Sequence, residues 1–382
     1  MRAVIDYRPA LRERSGVGEY AYELVRALLR AAPRDDAGEP LDLCVFSSSW
    51  KHRLALPAEL SGATPIDRRV PGVLLNAAWH RLGWPAAETL MRRSFDVAHS
   101  LHPLLMPARR AAQVVTIHDL NFLAHPERTR AEIRRDYPPL AREHARRADR
   151  IIVPSRFTAR EVERELAVAP DKIAVCSPGA PDWTPRRVAP KDGYVLFFGT
   201  LEARKNVGGL LDAYERLMAR PSDGAPAIPQ LVLAGKATPE SQAWLDRAAR
   251  PPLSGVVRHV GYVEPANRRQ LYEGARLLVQ PSFEEGFGIP VLEAMTLGVP
   301  VVAANRGALP EVLGDAGLLV DPEQPEALAA AMARMLSDEP FAAAAAAMGV
   351  RRSAGFSWDR TARLVFDTYQ QAIDHRRRCA LA

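Results

Sequence analysis

Short apolar runs alternate along the chain with longer amphipathic stretches. Ala3 to Asp6, Leu41 to Phe46, Phe95 to His99, Gln113 to Ile117 and Arg150 to Val153 read as strands. Helical periodicity covers Glu19 to Arg30 and Arg130 to Arg147, and Ser155 opens another helix with Thr158 and Glu161 at capping-box spacing. Pro178, Gly179, Pro181, Pro185 and Pro190 then interrupt the pattern between Ser177 and Pro190, which is linker composition. Beyond it the alternation restarts. Strands are expected at Tyr194–Phe198, Leu231–Ala234, Val256–Val260, Leu277–Val279, Val299–Ala303 and Leu318–Val320. Helices are expected from Asn206, over Glu240–Arg250 and Ala266–Gly274, from Gln324, and over Trp358–Ile373. Strands alternating with helices predict an α/β chain with parallel sheets covered on both faces. Two such halves predict two doubly wound domains and a cleft that the strand C-termini face.

With 382 residues, 47% of them hydrophobic, the chain is long enough for those two domains. Its formal charge of +6 is arginine-rich, and no basic run with interleaved aromatics suggests nucleic acid. An anionic membrane surface or a phosphorylated acceptor suits a basic protein at least as well. The stretch Val73–Arg93 mixes Trp79, Trp84 and leucines with arginines. It reads either as an amphipathic membrane-surface segment or as part of the first domain's core. No apolar run reaches the roughly 20 residues that span a bilayer. Cys44, Cys176 and Cys379 are odd in number and lack metal spacing, and a strand-like start leaves no signal peptide. A cytoplasmic protein is expected.

The chemistry concentrates in Pro281 to Glu293. An apolar strand leads into Glu284-Glu285-Gly286-Phe287-Gly288, and a helix with Pro290 in its first turn follows. Gly286 and Gly288 let backbone N–H groups approach an anion at the helix start. Glu285 and Glu293 suit hydroxyls better than phosphate, which together suggests a sugar nucleotide. Gly199 to Asn206 carries Arg204 and Lys205 at a helix start, where cations are disfavoured unless an anion compensates. A diphosphate leaving group is the anion expected there. His118 ends a strand at a position suited to a sugar contact, whereas His99 and His102 read as structural. Gly16-Val17-Gly18 fits a dinucleotide fingerprint poorly, because Ser47-Ser48-Ser49 stands where an acid should meet a ribose. Gly235-Lys236-Ala237 lacks the first glycine and the hydroxyl residue of a phosphate loop. No Asp-x-Asp pair occurs, so protein cations rather than a metal are expected to stabilise the leaving group.

These residues resemble the retaining glycosyltransferases of family 4, with the two-domain GT-B fold, over nearly the whole chain. The most specific part is Glu285-x7-Glu293 within Pro281-Ser282-x-x-Glu285-Gly286-Phe287-Gly288. Gly199-Thr-Leu-Glu-Ala-Arg-Lys-Asn206 is similar to the family's phosphate segment, and Gly261-Tyr262-Val263 to the region around the nucleotide base. Ser177-Pro178-Gly179-Ala180 departs from an Asn-Gly pair often found at the hinge.

The resemblance implies Rossmann-like domains at 1–182 (acceptor side) and 183–357 (donor side), with a helix at 358–382 that packs back on the first. It implies that Glu285 holds donor-sugar hydroxyls, Glu293 the ribose, and Arg204 and Lys205 the diphosphate. Gly16, Gly18, Gly199, Phe287 and Gly288 would lie near sugar or phosphate, with His118 contacting the donor sugar. The Thr-Leu-Glu-x-Arg-Lys-Asn form resembles O-antigen mannosyltransferases and favours GDP-mannose over UDP- or TDP-sugars. The acceptor would be a glycan or lipid-linked glycan, with no cofactor or metal. A nucleotide-sugar epimerase is the alternative on the same fold.

Overall fold

The computed structural model describes all residues except 12, 13, 15, 125–130, 221–226 and 382, and the side chains of 124, 131–136 and 381. The chain forms two compact units, Met1–Gly179 with Ser357–Ala382, and Ala180–Phe356.

The first unit is built on a parallel sheet of seven strands among the described residues. They are β1 (Arg2–Asp6), β2 (Asp42–Ser48), β3 (Thr64–Arg68), β4 (Val97–Ser100), β5 (Ala112–Thr116), β6 (Arg150–Val153) and β7 (Ile173–Val175). Their order is β3-β2-β1-β4-β5-β6-β7. The chain therefore reverses its direction of travel across the sheet between β1 and β4. Along β1, Ala3 and Ile5 enter one core while Val4 enters the other with Cys44 and Phe46. Burial on both faces explains why these strands read as continuous apolar runs. The edge strands β3 and β7 are not expected from the pattern. Thr-Pro-Ile-Asp-Arg buries only Ile66 fully, and β7 is three residues long with none fully buried.

The second unit repeats the plan with β8 (Tyr194–Phe198), β9 (Leu231–Ala234), β10 (Val257–Gly261), β11 (Ala275–Gln280), β12 (Val301–Ala304) and β13 (Leu318–Val320). All pair in parallel in the order β10-β9-β8-β11-β12-β13. Its reversal falls between β8 and β11. Val195 and Phe197 face one core, and Leu196 faces the other.

The last helix, Trp358–Leu381, runs beyond its expected end at Ile373 and belongs to the first unit. Trp358, Ala362, Val365, Tyr369 and Ala372 bury a stripe at helical spacing in that unit's core. Buried His99 bonds Tyr369 OH through Nδ1 (2.7 Å) and Thr116 Oγ1 through Nε2 (2.8 Å). The imidazole thus joins the helix to β4 and β5, which is the structural role expected for it. Gly179 meets the start of the helix so closely that a Cβ there would lie 2.2 Å from the Trp358 nitrogen. Gly179→Ala must displace backbone, and we expect a cost of roughly 1–3 kcal/mol. A thermal midpoint equal to wild type would show that this contact yields without strain.

Candidate active site

β8 and β11 are adjacent and parallel, so the loops that follow them emerge side by side. After β8 the chain passes Gly199 and enters a 3-10 turn, Ala203–Lys205. Asn206 is left-handed (φ 55°), caps the helix Val207–Met218 through the Gly209 N–H, and donates to Pro322 O at 2.8 Å. Arg204 and Lys205 therefore precede the cap instead of occupying the helix's first turn. After β11, Phe283 N donates to Arg204 O at 2.8 Å and fastens the two loops together.

Glu285 lies at the centre of this junction and is buried. Its Oε1 accepts from Lys205 Nζ at 2.5 Å and from Gln280 Nε2 and Ser282 Oγ, each at 2.9 Å. Its Oε2 has a longer contact, 3.5 Å to Arg204 Nη1. Burial alone would raise the carboxyl's pKa. The charges of Lys205 and Arg204, with the hydrogen bonds of Lys205 and Ser282, overcome it and bring the value down to about 2. Arg204 is also paired with Glu202 at 2.8 Å. The compensating anions expected for the two cations are thus supplied by the protein itself, as Glu202 and Glu285. Glu285 is correspondingly not free, as a carboxylate reserved for hydroxyls would be. Its fixed Oε1 and less occupied Oε2 divide that work between the two oxygens.

Glu293 lies in the helix Ile289–Leu297, which is buried from Val291 to Leu297. A buried arginine, Arg268 of the helix Pro265–Glu273, donates to Glu293 Oε1 at 3.0 Å. The Arg268 guanidinium lies 5.8 Å from the Phe198 ring centroid, and Phe198 packs against Tyr272. Burial, followed by the Glu293 charge, pushes the Tyr272 phenol well above its usual range. Gly288 caps the Glu293 helix at φ 107°, and a Cβ there would meet Leu309 at 2.7 Å. The left-handed φ favours glycine, and a Cβ would in addition have to displace the Leu309 side chain. Phe287 is buried against Phe356, with ring centroids 5.7 Å apart, and Gly286 links it to Glu285. Tyr262 follows β10, two strands from β8 at the edge of the sheet.

Four residues of this framework are given no role by sequence reasoning, although Ser282 stands in the glutamate motif. Gln280 and Ser282 are common polar residues whose role appears only when they meet Glu285. Arg268 carries no signal beyond an Arg-Arg pair on a short helix. Gly307 (φ 61°) is the fourth: a Cβ would lie 2.7 Å from the Glu285 carbonyl oxygen, which accepts from Ala308 N at 2.9 Å. Its sole hint is a glycine following a strand.

In the first unit, Gly16 (φ 52°) caps the helix Val17–Ala31, and a Cβ there would meet nothing within 4 Å. Gly18 is buried in the first turn of that helix, and Tyr20 N bonds Gly16 O. The Tyr20 ring packs edge-on to His118, with centroids 4.8 Å apart. Burial holds the His118 imidazole down to about 4, and its Nε2 has no hydrogen-bond partner among the described residues. Tyr20 thus links the helix start at Gly16 and Gly18 to His118 within this unit.

Residues 192–338 match the model for glycosyl transferases group 1, and residues 14–182 that for Glycosyltransferase Family 4. The chain is 30% identical over 392 residues to the O-antigen chain mannosyltransferase B of Escherichia coli, covering 97% of this chain and 100% of that one. The protein belongs to the family 4 glycosyltransferases. Its fold is similar to sucrose-phosphate synthase from Thermosynechococcus elongatus (TM-score 0.76, 20% identity, 97% and 98% of the two chains). It is also similar to Anabaena HepE, solved with UDP and glucose (TM-score 0.68, 17% identity, 96% and 99%). This glycosyltransferase has the GT-B architecture that those structures share.

The depressed Glu285 pKa has a measurable consequence. A carboxyl lowered from 4.5 to about 2 on folding contributes stability that is fully present above pH 4.5. That stability is lost as the pH falls through 4.5 towards 2. Urea denaturation of this glycosyltransferase across that range should show the loss, and Glu285→Gln should flatten it. An acid limb of the same slope in both proteins would refute the ion-pair account.

Proposed function

We propose that this glycosyltransferase moves a hexose, mannose from GDP-mannose, onto a hydroxyl of a glycan or lipid-linked glycan, with retention of configuration. The observation that carries the reading is the asymmetry of Glu285. Oε1 is held by three donors, while Oε2 keeps lone pairs for the hydroxyls of a sugar ring. Arg204, with about a fifth of its side chain exposed, is better placed to meet a diphosphate than Lys205, which is almost fully buried against Glu285. In this scheme a departing diphosphate draws Arg204 from Glu202 while Lys205 stays with Glu285, and the reading calls for no metal. Glu293, oriented by Arg268, takes the ribose hydroxyls in this scheme. No carboxylate is assigned as a nucleophile, and the departing phosphate oxygen takes the acceptor's proton on the same face. The preference for mannose rests on the full-length relative named a mannosyltransferase.

The acceptor's carrier is assigned from the first unit. Val73, Leu74, Leu82 and Trp84 are exposed by 82, 64, 75 and 62%, while Leu75 and Trp79 of the same segment are buried. The segment therefore serves the core on one side and presents an apolar edge on the other. With Arg81 exposed among those residues and a net charge of +6, that edge suits the surface of an anionic membrane. No helix among the described residues is long and apolar enough to cross a membrane.

Two measurements test these assignments. In a turnover screen of GDP-, UDP-, TDP- and ADP-sugars, GDP-mannose should be preferred, and Glu285→Ala should lower kcat by roughly 10²-fold or more. Near wild-type turnover of every donor by that variant would remove Glu285 from the site. In flotation with phosphatidylglycerol vesicles, replacing Val73, Leu74, Leu82 and Trp84 by serine should abolish binding. Unchanged flotation would remove the membrane assignment.

A further inference from the structure

A parallel sheet has two edges of opposite kind: the strands all leave at one and all enter at the other. In the first unit, Gly16 and His118 follow strands and lie at the exit edge. The entry edge is rich in arginine. Arg109 and Arg110 precede β5, Arg146 and Arg147 precede β6, and Lys172 precedes β7. The closing turns of the last helix reach the same edge with Arg376, Arg377 and Arg378. Arg376 Nη2 donates to Arg109 O at 3.2 Å, and its Nη1 lies 3.6 Å from Oδ2 of Asp149, the residue before β6. Lys172 Nζ donates to Arg146 O at 2.5 Å. These contacts join the cations of three adjacent strand entries and one helix into a continuous face.

Part of this charge has a local explanation. Arg146, Arg147 and Arg378 lie in last turns of helices, where cations are favoured by the dipole. Arg109 and Arg110 lie outside any helix. Their backbone is held by Glu88, whose Oε1 accepts from the amides of Arg109 (3.1 Å), Arg110 (2.9 Å) and Ala111 (3.2 Å). Asp149 is likewise engaged by backbone, accepting from Gln113 N at 2.7 Å. Carboxylates at this edge are thus directed to peptide groups. Arg109, Arg110, Arg146 and Arg378 are exposed and pair with no carboxylate among the described residues.

The make-up of the face selects its partner. Glu143, Asp171 and Asp374 are exposed among the arginines, and Glu143 pairs with Arg147 at 3.0 Å. A nucleic-acid backbone, charged at every residue, would meet those carboxylates, whereas a protein segment can set other side chains opposite them. The described residues of this edge include no exposed large hydrophobic side chain to enter a membrane. The apolar Val73–Trp84 segment belongs to the exit edge, where its Asn76 and Trp79 meet Arg8 beyond β1.

We propose that the entry edge of the first sheet is a docking face for an acidic segment of a partner protein, whose carboxylates pair with Arg109, Arg110, Arg146 and Arg378. Docking there leaves the exit edge free.

The test measures fluorescence anisotropy of a labelled oligoglutamate peptide, or of oligothymidylate, with the full chain. The peptide should bind at low ionic strength and be released by salt. Joint replacement of Arg109, Arg110 and Arg378 by serine should weaken it about tenfold, as the loss of three exposed ion pairs implies. Turnover, thermal midpoint and flotation with phosphatidylglycerol vesicles should stay at wild-type values. Serine at Arg187, Arg258 and Arg351, exposed arginines of the second unit, should leave peptide binding unchanged. Arg110→Glu alone gives a second reading should the triple variant prove unstable, and it too should weaken the peptide. No peptide binding, or an equal loss in the second-unit variant, overturns the proposal. Tighter binding of oligothymidylate through the same arginines overturns it in favour of nucleic acid, and lost flotation of the triple variant in favour of a membrane.

Discussion

The architecture of the second unit depends on one constraint: a carboxylate buried in protein must be met by a cation and by hydrogen bonds. Glu285 satisfies it with Lys205, Gln280 and Ser282, and Glu293 satisfies it with Arg268. Removing one partner of such a pair leaves an unpaired buried charge, which costs far more than the pair itself contributes. The charges thereby fix geometry. Lys205 cannot leave Glu285 without a large penalty, whereas the partly exposed Arg204 is shared between Glu202 and Glu285. Two adjacent cations that look interchangeable in sequence therefore do different work.

That constraint is met by backbone as much as by side chains. The neighbouring ends of β8 and β11 bring the Arg204 and Glu285 loops together, and the Phe283–Arg204 hydrogen bond joins them. Gly307 then lets a third loop, after β12, lie against the Glu285 peptide. Each contact uses the same property of a parallel sheet, whose strands deliver all their C-terminal loops to one edge.

The elements that could be read from sequence were those whose local pattern had a single interpretation. Strands buried on both faces produced unbroken apolar runs, as at Val195–Phe197 and Leu277–Val279. β3 was not legible because an edge strand with Pro65, Asp67 and Arg68 looks like loop, and β7 was too short to show a period. Glu285 and Glu293 stood out through their spacing around two glycines. Gln280, Ser282, Arg268 and Gly307 did not, because each matters only through a residue that folding brings to it.

The sequence by itself determined a two-sheet α/β chain, the strand-to-helix loop that carries the glutamates, and the family to which it belongs. Those features depend on residues close together in the chain, where periodicity and spacing leave a mark. Tertiary structure alone decided which charge meets which: Lys205 with Glu285 across eighty positions, Arg268 with Glu293 across twenty-five, and His102 with Asp6. Ion pairing depends on distance in space, and no local pattern records it. The anion that Arg204 and Lys205 required was already within the chain.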